Sequence, residues 1–138
     1  MPQKVILYVE DEETDIFLVR IAFKKGKIDI PLHTVKDGEA ALHYLRGTGA
    51  YADRAEFPFP GLVLLDLNIP RLHGLKVLKW IREQPSLAKL PVVIYTSSEQ
   101  PKDVAAAQQL GANDYQVKVP SIDLIIKKMQ RVIERWLQ

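Results

Sequence analysis

Apolar residues fall into two alternating patterns along this chain. One is the short unbroken run: VILYV at 5–9, GLVLL at 61–65, and VVIYT at Val92–Thr96 behind Pro91. Runs this short and apolar, bounded by turn residues, read as strands buried on both faces. Two weaker segments, LHTV at Leu32–Val35 after Pro31 and YQVKV at 115–119 before Pro120, complete the strands. The other pattern repeats at helical spacing. A helix over 11–25 carries Ile16, Val19 and Ala22/Phe23 inward and stops at Gly26. Asp37 caps a helix running to Arg46, with Ala41, Leu42 and Leu45 inward. Leu75, Leu78 and Ile81 share one face of a helix over 75–83. An alanine-rich helix over 102–110 has Pro101 near its first turn and Gly111 at its end. Ser121 caps the last helix, whose stripe is Ile122, Ile125/Ile126, Met129, Val132/Ile133 and Trp136/Leu137. Residues 47–60, with two Gly and two Pro, read as an exposed loop.

Five strand-then-helix repeats predict an α/β fold with a five-stranded parallel sheet, right-handed crossovers and helices on both faces. The flavodoxin-like order 2-1-3-4-5, a (βα)5 three-layer sandwich, is a common arrangement of this alternation. At 138 residues the chain suits one domain. Its last helix ends the sequence, which leaves no stretch for an output domain.

Composition narrows the chemistry. With no cysteine, disulfides, thiolate catalysis and cysteine-ligated zinc are excluded. No apolar run approaches the ~18 residues of a membrane span, and the N-terminus turns acidic too soon for a signal peptide. The expectation is a cytoplasmic protein with no membrane partner. A formal charge of only +2 gives no case for nucleic acid. The charge is unevenly placed: Glu10, Asp11, Glu12, Glu13 and Asp15 form an acidic knot directly after the first strand. The last three read as a helix N-terminus complementing its dipole.

The carboxyl ends of the strands bring the chemistry together. The first strand ends in Glu10-Asp11, the third in Asp66, the fourth in Thr96, and the fifth carries Lys118 near its end. In the order 2-1-3-4-5 these strands are neighbours, and ligands bind at their carboxyl ends. The pocket so formed holds three carboxylates, a hydroxyl and an ammonium. Two like charges ~4 Å apart at an effective dielectric near 20 repel by about 4 kcal/mol. A hard divalent cation, Mg²⁺, Ca²⁺ or Mn²⁺, relieves that repulsion through oxygen ligands, and Mg²⁺ is the one that needs only one or two carboxylates. His33, His43 and His73 lie away from the acidic cluster, which argues against zinc. The same pocket makes Asp66 a candidate nucleophile toward phosphorus, giving an aspartyl phosphate, with Lys118 and Thr96 holding phosphoryl oxygens.

Glu10-Asp11, Asp66 within DLNIPRLHG, Thr96 within VIYTSS, Gly111-Ala112 before Tyr115, and Lys118 occur in the order and spacing of a known family. The chain resembles the receiver domain of two-component response regulators, the family of the chemotaxis regulator. Within it, the chain looks most like single-domain regulators that partner bacterial phytochromes. The resemblance implies that Asp66 accepts a phosphoryl group from a sensor histidine kinase or phosphotransfer protein. It implies Asp11 and Asp66 as direct Mg²⁺ ligands, Glu10 acting through water, and the Asn68 backbone carbonyl as a third protein ligand. Thr96 and Tyr115 match the family's switch pair. The implied protein is a phosphoacceptor switch with at most slow self-dephosphorylation, and a homodimer through the last strand-helix region is a further expectation. Two positions depart from the pattern: Val119 stands where the family usually has Pro after the lysine, often with a cis bond, and His73 where it usually has Asp or Asn.

A phosphatase of the haloacid dehalogenase type also uses a nucleophilic Asp with Mg²⁺, Thr and Lys. It usually has a second Asp two residues on, as general acid; here that residue is Asn68. A flavin or nucleotide carrier needs a Gly- or Ser/Thr-rich phosphate loop after the first strand, where this chain has EDEETD.

Overall fold

The computed structural model describes residues 4–137. Five strands, β1 (Ile6–Val9), β2 (Leu32–Val35), β3 (Leu62–Leu65), β4 (Val92–Thr96) and β5 (Asp114–Val117), alternate with five helices. The helices are α1 (Glu13–Lys25), α2 (Gly38–Arg46), α3 (Gly74–Glu83), α4 (Pro101–Gln109) and α5 (Ile122–Trp136). All strand pairings are parallel and the order is β2-β1-β3-β4-β5, as the alternation predicts.

The apolar runs divide by parity, because successive strand side chains point to opposite faces. Leu7, Val9, Val63, Leu65, Val92 and Ile94 meet buried residues of α2, α3 and α4. Ile6, Tyr8, Leu62, Leu64, Val93 and Tyr95 meet Ile16, Val19, Ala22 and Phe23 of α1 and Ile125, Met129 and Val132 of α5. Each fully buried aliphatic side chain contributes roughly 1.5–3 kcal/mol, so both faces of the sheet are fixed.

Four details differ from the sequence reading. The first helix starts at Glu13, not residue 11, because the Glu12 carboxylate caps it by accepting from the Thr14 N–H. Glu10 and Asp11 therefore lie on the connection before the helix. The fifth strand runs Asp114–Val117, so Lys118 comes after it, although the Lys118 N–H still bonds the Thr96 carbonyl at 2.8 Å. On α2 the buried positions are Gly38, Ala41, Tyr44 and Leu45, with Leu42 half-buried. Finally, residues 47–60 are tied down rather than loose. Gly47 closes α2 in the left-handed region (φ 69°), and a 3₁₀ turn comes next at Gly49–Tyr51. The Arg54 guanidinium donates to the carbonyls of Tyr44 (2.7 Å), Leu45 (2.9 Å) and Phe57 (3.2 Å). It ties the last turn of α2 to the segment that follows, and Tyr51 and Phe57 pack against Tyr44 at ring separations of 5.2 and 6.0 Å.

Candidate functional site

Three polar side chains are buried among the described residues: Glu10, Asp66 and Thr96. Each stands at or just past the carboxyl end of β1, β3 or β4, so the polar burial is confined to one end of the sheet. Asp66 is held there by backbone. Its N–H donates to the Val9 carbonyl at 3.1 Å, and its Oδ1 accepts from the Asn68 N–H at 3.3 Å. Gly74 keeps α3 close behind it, since a Cβ on Gly74 would stand 2.3 Å from the Asp66 carbonyl oxygen. No side chain fits at that separation.

Lys118 is the centre of the charge network. Its Nζ lies 2.5 Å from Glu10 Oε1, 2.7 Å from Asp15 Oδ2 and 3.0 Å from Asp66 Oδ2. Burial works to lower its pKa, but hydrogen bonds to Asp15, Glu10 and Asp66 outweigh that and move it upward. The lysine is a fixed cation. Glu10 is enclosed: Oε1 also accepts from the Tyr8 hydroxyl at 3.3 Å, and Oε2 accepts from the Glu12 N–H at 3.2 Å. Burial first, then the Asp66 charge, push its carboxyl up to about 7 against the opposing pull of Lys118. Tyr8 is likewise pushed up by burial and by Glu10.

Thr96 is different in kind. Its Oγ1 is buried and has no hydrogen-bond partner among the described residues. An unpaired buried hydroxyl costs roughly 1–3 kcal/mol, so the pocket carries a donor kept unspent. Tyr115 lies farther out, half-buried, with its hydroxyl donating to the Ser98 carbonyl at 2.9 Å. Asp11 is exposed and forms no ion pair among the described residues. A cleft of about 770 Å³, lined in part by Asn68, His73, Ser97, Ser98 and Lys102, opens beside the Asp66 loop.

Glu10, Asp66 and Lys118 are thus in direct contact, Thr96 ends the strand beside β3, Asp11 is exposed, and Asn68 touches Asp66 through its backbone N–H. Asp15 joins them, although its sequence position suggested only a helix-dipole role. The signal lay in the spacing. Asp15, Val19 and Ala22 stand at i, i+4 and i+7, which puts Asp15 on the inward stripe of α1.

Both departures from the family pattern have a local explanation. His73 caps α3, with Nδ1 accepting from the Leu75 N–H at 3.1 Å, the job Asp or Asn does at such a position. Among the described residues there is no cis peptide bond, so the link from Lys118 to Val119 is trans. The Val119 side chain packs on the α1/α5 side of the sheet.

The sequence model described as the response regulator receiver domain matches residues 6–130. Over 137 residues the chain is 39% identical to the response regulator Rcp1 of Synechocystis sp., covering 99% of this chain and 91% of that one. Among solved structures, the phosphorylated cyanobacterial phytochrome response regulator RcpA matches with a TM-score of 0.87 at 34% identity, over 99% of this chain and 96% of that one. The Mn²⁺-bound form of Rcp1 matches with a TM-score of 0.83 at 38% identity, over 98% of this chain and 95% of that one. With the strand order and the convergent strand ends already in place, these likenesses leave one assignment: the chain belongs to the response regulator receiver family and acts in phosphorylation-dependent two-component signalling.

Proposed function

We propose that Asp66 takes the phosphoryl group, from the phosphohistidine of a sensor histidine kinase or phosphotransfer protein, and that the chain signals by switching conformation. The observation that carries this is the pairing of Asp66 with a fixed ammonium, beside an unpartnered hydroxyl on the next strand. In the transfer an Asp66 oxygen forms a bond to phosphorus. The bond from phosphorus to the donor imidazole breaks, and the imidazole keeps the electron pair and takes up a proton. Phosphoryl transfer needs positioning and charge neutralisation more than covalent help. Lys118, on giving up one of its three carboxylate bonds, reaches one phosphoryl oxygen, and Thr96 another.

The donor set fits a hard divalent cation. No three His, Asp or Glu side chains form a closed metal cage among the described residues, but Mg²⁺ keeps several waters and needs only one or two carboxylates. Asp11 and Asp66 with the Asn68 carbonyl would supply that number, and Mn²⁺, the ion in the Mn²⁺-bound form of Rcp1, also favours oxygen ligands. Glu10 has its oxygens engaged by Tyr8, Glu12 and Lys118, so its part toward the cation runs through water. The cation supplies charge neutralisation when bound.

The switch originates at Thr96. A phosphoryl oxygen draws the hydroxyl toward it, the β4–α4 connection moves, and the Tyr115 bond to Ser98 on that connection is released. Charge-assisted bonds of about 1.5–3 kcal/mol each meet the ~5.5 kcal/mol needed to move a balance from 1:99 to 99:1. The likeness to phytochrome response regulators supports a phytochrome-type kinase as donor, and with it a cytoplasmic place of work. Trp136 and Leu137, half-buried at the end of α5 and packed in part on the chain's own core, are the residues on which a homodimer through β5 and α5 would extend. A phosphatase reading lacks its general acid, because Asn68 has no proton to give in that role. Labelling by acetyl phosphate with Mg²⁺ tests the proposal: the wild-type chain incorporates phosphate and Asp66→Asn does not. Undiminished labelling of that variant defeats it.

A further inference from the structure

An ammonium has three protons to donate, and Lys118 faces three carboxylates, Glu10, Asp15 and Asp66, at 2.5, 2.7 and 3.0 Å. Its donors are all committed before any phosphoryl oxygen arrives. One bond has to be given up for Lys118 to reach a group on Asp66. The three acceptors differ in what release costs them. The Glu10 side chain is fully enclosed, and a carboxylate left there without its cation is strongly destabilised. Asp66 carries the incoming group itself. Asp15 is the open one: its side chain is 27% exposed, against 0% for Glu10 and 5% for Asp66. Water replaces the ammonium at Asp15 where it cannot at the other two. Asp15 also comes from the first turn of α1, 103 residues from Lys118 in sequence, so its bond ties that helix to the connection after β5.

We propose that Asp15 is a positioning residue: a releasable counter-anion that holds Lys118 in the unphosphorylated chain and yields it to the phosphoryl group. The proposal rests on Asp66 as the phosphoacceptor. Holding Lys118 stabilises the free pocket and so opposes its occupation, which gives Asp15 control over how readily the switch is thrown.

Beryllium trifluoride anion, which coordinates a carboxylate oxygen in the tetrahedral geometry of a phosphoryl group, is the probe, with Mg²⁺ present throughout. Asp15→Asn binds it about three- to tenfold more tightly than the wild-type chain. The melting-temperature difference between free and loaded protein widens in that variant, because only the free form loses an ion pair. Asp15→Glu, which keeps the charge, returns toward wild-type affinity. A role confined to packing lowers both melting temperatures together and leaves affinity unchanged. Should the asparagine variant not fold, the wild-type chain still decides: the Asp15 carboxyl ¹³C resonance moves when the anion is added to the Mg²⁺-loaded protein. Equal or weaker binding by Asp15→Asn, or an unmoved Asp15 resonance, overturns the proposal. If the wild-type chain fails to bind the anion at all, the assignment of Asp66 falls, and the proposal with it.

Discussion

Thr96 shows how a stability cost marks a working residue. It ends an otherwise apolar β4, is fully buried, and leaves its hydroxyl without a partner. Valine has nearly the same shape and no hydroxyl. Thr96→Val therefore stabilises the unphosphorylated chain by about 1–2 kcal/mol, read by denaturant unfolding, and weakens beryllium trifluoride binding about tenfold. A variant that lost stability and kept its affinity would contradict that role. Asp66 was legible at this scale because it ends a plain apolar run, whereas Lys118 follows a weaker strand pattern and was picked out by its order and spacing with the other site residues. Asp15 was not, because its partner lies across the fold and only its place on the inward stripe of α1 hinted at one.

Element boundaries were set by side chains that no periodicity reveals. The three central strands were plain as apolar runs, and their parity fixed which residues face which helix layer. β5 was harder, since all four of its residues are only half-buried at the sheet edge and the apolar signal is weak. The 47–60 segment was opaque for a similar reason: its order comes from Arg54, whose value depends on carbonyls that appear only once α2 has ended nearby. Replacing that guanidinium by an apolar chain of similar length leaves those carbonyls to solvent. Arg54→Met lowers the unfolding free energy by about 1–3 kcal/mol, with phosphomimic affinity unchanged, because the Arg54 hydrogen bonds go to the carbonyls of Tyr44, Leu45 and Phe57 and not to the cluster around Lys118. Wild-type stability in that variant would show that the aromatic contacts of Tyr51 and Phe57 suffice alone.

At the scale of the whole molecule, a parallel sheet explains why one end of the chain's five strands gathers all the chemistry. The apolar layers on either side fix the sheet, and the connections at its carboxyl ends are then free to carry Glu10, Asp66 and Lys118, beside Thr96 at the end of β4 and Asp15 in the first turn of α1. On the proposed reading, a phosphoryl group on Asp66 spreads its effect through Lys118 to α1 and through Thr96 to the β4–α4 connection. Borohydride reduction of an aspartyl phosphate yields homoserine at the modified position. After treatment of the native chain with acetyl phosphate and Mg²⁺, then borohydride, peptide mass mapping should find homoserine at residue 66 and nowhere else. Homoserine at another carboxylate, or at none while phosphate is incorporated, would contradict it.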